Sequence, residues 1–172
     1  VHTAGDSHDR QGLIAVGNKL TATDLTVDGG YTLNRLDQSR LDCGICATVC
    51  DEVAMEGVTS KIQWVISRTP GYNDNISGVI GCEESWNNLL KMSFTNCTLS
   101  CDISFTDVND YVPFRMGGLV GSMDRVELTI SGLTVKETNL STKSNDQSQI
   151  CGGLLGCSWL NTIAVISDVT VS

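Results

Sequence analysis

The sequence predicts an all-β protein, a parallel β-solenoid of about five rungs of roughly 35 residues each, with uncapped ends. The first observation is a repeated motif, G-φ-φ-[GA] with φ apolar, which starts at residues 12, 44, 78, 118 and 153. The second is that a strand-like run of eight residues follows each motif. The aligned runs cover residues 20–27, 53–60, 92–99, 128–135 and 164–171.

Each run predicts two short strands joined by a bend. Positions 1 and 3, and then 6 and 8, are apolar in nearly every copy, which is the period-2 pattern of strands with one buried face. Position 5, between the two halves, holds only Asp, Asn or Gly, the residues that best tolerate a left-handed backbone. We therefore expect a bend at the same point of every rung, at Asp24, Gly57, Asn96, Gly132 and Asp168.

The rest of each repeat is less regular. Candidate third strands cover residues 31–33, 63–67, 102–105 and 139–142, and variable polar loops follow them. Residues 1–11 are polar and lack periodicity, so they are interpreted as an N-terminal arm. Residues 12–172 are then a single solenoid domain.

The G-φ-φ-[GA] motif and its spacing resemble the GLUG-type repeats of bacterial and protist surface proteins. More broadly, the pattern is similar to right-handed parallel β-helices of pectate-lyase-like architecture, over roughly residues 12–172. The resemblance implies a right-handed solenoid and an extracellular or adhesin-like setting. It implies no chemistry.

Composition limits the possible partners and the cellular location of the protein. The net charge of −9 argues against nucleic-acid binding and against adsorption to anionic lipid. No apolar run approaches the length of a membrane-spanning helix, so we expect no membrane insertion. Eight cysteines and three N-glycosylation sequons, at Asn75, Asn96 and Asn139, predict an extracellular or cell-surface glycoprotein.

Disulfides are expected between adjacent rungs, because an extended strand holds its own nearby cysteines too far apart. Cys50 and Cys82 follow their motifs at similar distances and form the best candidate pair. Cys97 occupies an inward position and is an alternative buried thiol. The connectivity of the other candidates is left open: Cys43, Cys46, Cys101, Cys151 and Cys157. A zinc site at Cys43, Cys46 and Cys50 is disfavoured, since a second C-x-x-C is absent.

Position 7 of every run is threonine, and this column should face outward: Thr26, Thr59, Thr98, Thr134 and Thr170. A flat threonine ladder could bind ice or a polysaccharide, but the high β propensity of threonine explains it equally. Trp86 and Trp159 stand at comparable positions and could stack on sugars. Burial under a loop is the interpretation that we favour for both.

Metal and catalytic sites are weakly indicated. His2, Asp6, His8 and Asp9 could bind a metal, and Asp102, Asp107, Asn109 and Asp110 could bind calcium, although a disordered arm and a solvated loop explain them better. Basic residues are scattered and acidic pairs do not recur in register, so we expect no enzyme activity and no cofactor besides N-linked glycans.

The uncapped ends suggest the function. An open rung exposes backbone hydrogen-bonding groups and apolar core, so it must meet further rungs or another copy. The sequence therefore predicts an extracellular structural protein, a glycosylated solenoid that forms a fibre, stalk or surface layer by head-to-tail stacking. The alternative is an adhesin module that binds a glycan or another surface.

Overall fold

The structure is a computed structural model that describes residues 8–34, 40–67, 74–83, 89–105, 114–142, 150–158 and 161–172. Nineteen strands form within these residues, and these parts of the chain contain no helix. In chain order the strands are β1 His8–Gln11, β2 Ile14–Thr23, β3 Thr26–Asn34, β4 Arg40–Cys43, β5 Cys46–Glu56, β6 Thr59–Ser67, β7 Asp74–Ser77, β8 Ile80–Glu83, β9 Leu90–Thr95, β10 Thr98–Phe105, β11 Phe114–Gly117, β12 Val120–Met123, β13 Val126–Ser131, β14 Thr134–Val135, β15 Asn139–Thr142, β16 Ile150–Gly152, β17 Leu155–Ser158, β18 Ile163–Ser167 and β19 Thr170–Val171.

The strands form three parallel sheets that run along a solenoid. Sheet A stacks β1, β4, β7, β11 and β16, and sheet C stacks β3, β6, β10, β14 and β19, with β15 beside β10. Sheet B joins β2 and β5 to the pairs β8 and β9, β12 and β13, and β17 and β18. We number the rungs 1 to 5, beginning at β1, β4, β7, β11 and β16. The predicted parallel β-solenoid is confirmed.

The buried core lies in the three central rungs. Every buried hydrophobic side chain in the described chain falls between Cys43 and Val135, in rungs 2 to 4. One core column of sheet B illustrates this: Met92 and Leu128 are almost inaccessible, whereas Leu20 in rung 1 and Ala164 in rung 5 are not buried. The solenoid thus has about three closed turns between two open end rungs, which corrects the prediction of five equivalent rungs.

The repeated glycines are required by the close approach of successive rungs. A Cβ atom on Gly78 would lie 2.6 Å from the Gly118 carbonyl oxygen of the next rung, and one on Gly81 would lie 2.6 Å from the Ala47 carbonyl oxygen of the previous rung. Both distances are too short for a real Cβ contact. The motif therefore marks the turn between sheets A and B, where only glycine, or alanine in the first two rungs, fits the stacking.

The structure differs from the predicted strand plan in two places. Residues 8–11, assigned to the arm, form β1 and pair in parallel with β4, so the solenoid begins earlier than residue 12. Sheet A, immediately before each glycine motif, was not predicted. The candidate third strands of rungs 1 to 3 are continuations of β3, β6 and β10 rather than separate elements, and only β15 stands alone.

Candidate functional site: the bend column and the open face of rung 5

The predicted bends are present in all five rungs. Asp24, Asn96 and Asp168 have φ angles of 51°, 51° and 53°, and Gly57 and Gly132 have 64° and 72°. Backbone hydrogen bonds connect successive rungs at the bends. The Asp24 N–H donates to the Glu56 carbonyl of the next rung at 2.9 Å, and the bend amides of rungs 2 and 3 each donate to a carbonyl of the rung that follows. We call these five residues the bend column. The bend prediction is confirmed.

The bend column alternates strictly between an Asp or Asn and a Gly. Asp24 Oδ1 lies over Gly57 of the next rung, and Asn96 Oδ1 lies over Gly132 in the same way. In both places a Cβ atom on the glycine would contact the side-chain oxygen more closely than real Cβ atoms ever approach another atom. Each of these two side chains therefore requires a glycine at the bend of the next rung. The requirement is steric, in addition to the preference of a left-handed backbone for glycine.

The threonine column stacks in register through all five rungs. Thr26 pairs with Thr59, Thr59 with Thr98, Thr98 with Thr134, and Thr134 with Thr170. The two end threonines are exposed and the three central ones are half-buried. The column lies along sheet C one step beyond the bend, as a continuous line of hydroxyl-bearing side chains.

A second polar line runs along the outer side of sheet C. Gln63, Asp102 and Asn139 occupy one column of three neighbouring rungs. The Asp102 carboxylate accepts hydrogen bonds from the Gln63 and Asn139 amides, both at 3.3 Å and both exposed. Asp102, a predicted calcium ligand, is thus held in a side-chain ladder. The other three predicted ligands, Asp107, Asn109 and Asp110, lie outside the described residues.

Charges alternate along the outer face of sheet B. Lys19, Glu52, Lys91 and Glu127 pair in register through rungs 1 to 4. Lys19 Nζ lies 3.3 Å from Glu52, and Lys91 Nζ lies 4.0 Å from Glu127. The hydrogen bond to Glu52 and the nearby Asp51 raise the pKa of Lys19. This charge ladder was not recognised in the sequence, because the four residues become neighbours only once the rungs are aligned.

The three sequons have different environments. Asn96 and Asn139 are exposed, as a glycosylated residue must be. Asn75 is fully buried, and its amide nitrogen donates to Asp42 Oδ1 at 2.7 Å. A glycan on that nitrogen would have to displace the hydrogen bond and the packing around it. The structure therefore argues against the predicted glycosylation of Asn75.

Asn75 belongs to a polar cluster that crosses four rungs. Asp42 binds Thr48 as well as Asn75, because its Oδ2 accepts a hydrogen bond from the Thr48 hydroxyl at 3.4 Å. Arg10 Nε donates to the Thr48 hydroxyl at 3.1 Å, and Arg115 Nη1 donates to Asn75 Oδ1 at 3.2 Å. Asp42, Thr48 and Asn75 are completely buried. The cluster connects rungs 1 to 4 by side chains alone, and it has the features of a structural network.

Cys46, Cys97 and Cys101 are buried thiols, and the pairing of Cys50 with Cys82 stays a prediction. Cys82 lies in register with Thr48, two residues before Cys50, so the favoured pair is not opposed. Burial raises the pKa of Cys46 to about 11 and that of Cys101 to about 12, and it also raises the pKa of Cys97 and Cys151. Of the remaining candidates, Cys157 is likewise a thiol and Cys43 is fully buried. Cys97 is buried, as expected for the alternative of a core thiol.

The metal sites considered above find no support among the described residues. In that part of the chain, no group of three or more His, Cys, Asp or Glu side chains could hold a metal ion, and this includes Cys43, Cys46 and Cys50. His2 and Asp6 lie outside the described residues, and only the backbone is described at His8 and Asp9. Trp86 and Trp159 also lie outside them. No described helix is long and apolar enough to cross a membrane.

Rung 5 exposes apolar side chains that the same columns bury in rung 4. Ile130 and Val135 are 0% and 6% exposed, whereas their partners Ile166 and Val171 are 47% and 78% exposed. A recess of about 400 Å³ opens beside Val135, between Leu140, Leu154 and Val171. The face of rung 5 is therefore the apolar interior of the solenoid, open to solvent.

The outward columns of rung 5 also become apolar. Ile163 and Val165 stand in the columns of Glu127 and Thr129, and Ile150 stands in that of Arg115. All three are large and exposed, at 60%, 59% and 41%. As a result β18, with Ala164 and Ile166 on its inner side, is apolar on both faces, which is typical of a strand covered on both sides.

No family model, no curated protein and no solved structure matches the chain. The resemblance to GLUG-type repeats is thus supported only at the level of a parallel β-solenoid.

Proposed function

We propose that the chain is a structural β-solenoid of extracellular material, which builds a fibre, stalk or surface layer through axial stacking of rungs. The observation that carries the proposal is the open face of rung 5. It presents Ile166 and Val171 on core columns, together with the edge strands of all three sheets. Edge strands offer rows of N–H and C=O groups to another strand, and apolar side chains gain free energy when a further rung covers them.

A second copy continues the core columns and the threonine column. Continuing the columns from rung 5 of one copy to rung 1 of the next would place Ile166 against Ala22, and Val171 against Val27. Both rung 1 residues are apolar and only partly buried. The threonine column would also continue, from Thr170 to Thr26. A contact of this head-to-tail kind does not close on itself, so it propagates into a filament.

The extracellular and glycosylated character remains part of the proposal. Its support is the exposure of Asn96 and Asn139, which leaves two sequons open to a glycosyltransferase.

The test is assembly as a function of concentration, followed by light scattering and negative-stain electron microscopy. We expect the mass to rise above the 18.4 kDa of one chain and the particles to lengthen in one direction. Ile166→Lys places a charge on the open face and should abolish the association. Thr129→Lys adds the same charge to the exposed outer face of sheet B and should not. Equal loss in both variants would contradict axial stacking.

The adhesin alternative has one observation of its own in its favour. The outer side of sheet C carries two in-register polar lines, the threonine column and the Gln63–Asp102–Asn139 ladder. Such a flat hydroxyl- and amide-bearing surface is suited to a polysaccharide. A glycan array probed with the wild-type chain and with the Thr98→Lys variant tests it, and the absence of wild-type binding would exclude this alternative.

A further inference from the structure

The bend column determines which rung can stack on the face of rung 5. Inside the chain, each Asp or Asn of the column is followed by a glycine: Asp24 by Gly57, and Asn96 by Gly132. The side-chain oxygen lies in the space that a Cβ of the following residue would occupy. Neither glycine position could carry a side chain unless the preceding Asp or Asn moved.

Asp168 is the last Asp of the column, and it has the same left-handed backbone, at φ 53°, as Asp24 and Asn96. By analogy with Asp24 and Asn96, its carboxylate extends over the position that the bend of a further rung would occupy. A further rung therefore fits on rung 5 without rearrangement when its own bend residue is glycine.

The first rung of a second copy does not meet this condition. Its bend residue is Asp24, which has a φ of 51° and therefore directs a Cβ to the place that Gly57 and Gly132 leave empty. Head-to-tail stacking of two copies would place Asp168 against the Cβ and the carboxylate of Asp24. The core columns of Ile166 and Val171 and the threonine column continue between apolar or hydroxyl-bearing side chains, whereas the bend column would bring two carboxylate side chains into one space.

We propose that the open face of rung 5 is selective for a solenoid rung with glycine at the bend, and that it accepts such a rung more tightly than a second copy of this chain. The inference rests on the proposed axial stacking and specifies its partner. The partner is a parallel β-solenoid whose first rung has glycine, rather than Asp or Asn, at the left-handed position.

The test converts the chain itself into such a partner. Asp24→Gly supplies the missing glycine, and its self-association, measured by sedimentation equilibrium, should be at least about tenfold tighter than that of the wild type. Asp24→Asn removes the charge but keeps the Cβ, so it should stay within about threefold of the wild type. Asp168→Gly removes the obstructing side chain instead, and it should match Asp24→Gly.

The outcomes separate this inference from the proposed function. Equal association of the wild type and Asp24→Gly would overturn the selectivity and leave axial stacking intact. Equal tightening by Asp24→Asn and Asp24→Gly would also overturn it, because charge rather than shape would then control the contact. Failure of every variant to associate at any concentration would contradict the proposed stacking itself. A monomeric wild type beside an associating Asp24→Gly variant would support the selectivity.

Discussion

At the scale of single residues, the sequence predicted where the chain bends but not how the bends depend on one another. Asp, Asn and Gly at position 5 indicate a left-handed backbone by residue type alone, and the φ angles agree. The contact between Asp24 Oδ1 and Gly57 is a property of two rungs together. Because single-residue preferences contain no information about the neighbouring rung, the alternation of the column became interpretable only in the structure.

Replacement of a bend glycine tests the steric requirement. Gly57→Ala should lower the free energy of unfolding by about 2 to 4 kcal/mol, since alanine is strained at positive φ and its Cβ meets Asp24 Oδ1. Gly29→Ala is the matched control, because a Cβ there has no heavy atom within 4 Å. It should leave stability unchanged or raise it by up to about 1 kcal/mol. Urea unfolding followed by circular dichroism measures both, and equal effects would refute the requirement.

Two asparagines that each donate a hydrogen bond to an aspartate, one buried and one exposed, test the structural role of the buried cluster. Asn75 donates to Asp42 inside the protein, and Asn139 donates to Asp102 at the surface. Asn75→Ala should destabilise the fold by about 1 to 3 kcal/mol, because Asp42 Oδ1 loses a buried donor. Asn139→Ala should cost less than about 0.5 kcal/mol, because water replaces the lost amide. Similar losses in chemical denaturation would show that the buried cluster has no special structural role.

Glycosylation follows the same division between buried and exposed asparagines. When the chain is secreted from a eukaryotic host, we expect glycans in the folded product at Asn96 or Asn139 and none at Asn75. Peptide mapping by mass spectrometry, with and without enzymatic deglycosylation, identifies the sites. A folded product with a glycan on Asn75 would disprove the arrangement of Asn75 and Asp42 described above.

At the scale of elements, the strands with strong alternation were predictable and the short ones were not. Strands β9 and β13 bury alternate residues as the period-2 pattern requires. Strand β7 is only four residues long and all four are buried, including Asn75, which donates to Asp42 of the neighbouring strand. Its sequence, Asp-Asn-Ile-Ser, contains one large apolar residue, so no hydrophobic period identifies it. This is why sheet A was missed.

The charge ladder of sheet B depends on the register of its neighbouring strands. Lys91→Glu would place three glutamates in succession, at positions 52, 91 and 127, and repulsion along the column should lower Tm by about 2 to 4 °C at low salt. The loss should shrink in 1 M NaCl, where the Debye length is about 3 Å. Lys136→Glu changes the net charge equally outside the ladder and is the control. A salt-independent loss, or an equal one in the control, would exclude the ladder as the cause.

At the scale of the whole molecule, the interior is closed over about three turns and contains buried thiols. Cys46, Cys97 and Cys101 lie in one continuous core with the aliphatic side chains. The even cysteine count suggested disulfides, but it contains no information on register. Register places Cys82 beside Thr48, and it places Cys101 beside Ile62, where it is packed as a small apolar residue. The thiols therefore affect stability through their ionisation.

The last prediction follows from the direction of these shifts. An unfolded thiol loses its proton near pH 9, whereas Cys101 holds its proton in the folded protein up to about pH 12. Below pH 9 the thiol is protonated in both the folded and the unfolded state, so the buried neutral thiol makes its full contribution to stability. Between pH 9 and 12 only the unfolded state ionises, so the free energy of unfolding should fall by up to about 1.4 kcal/mol per pH unit for this thiol. Cys101→Ala should flatten the slope by that amount relative to the wild type, as measured by urea unfolding between pH 8 and 10.5. Ile103→Val, a small truncation of the same strand without a titrating group, should leave the slope unchanged. Identical slopes in all three proteins would show that Cys101 is accessible to solvent.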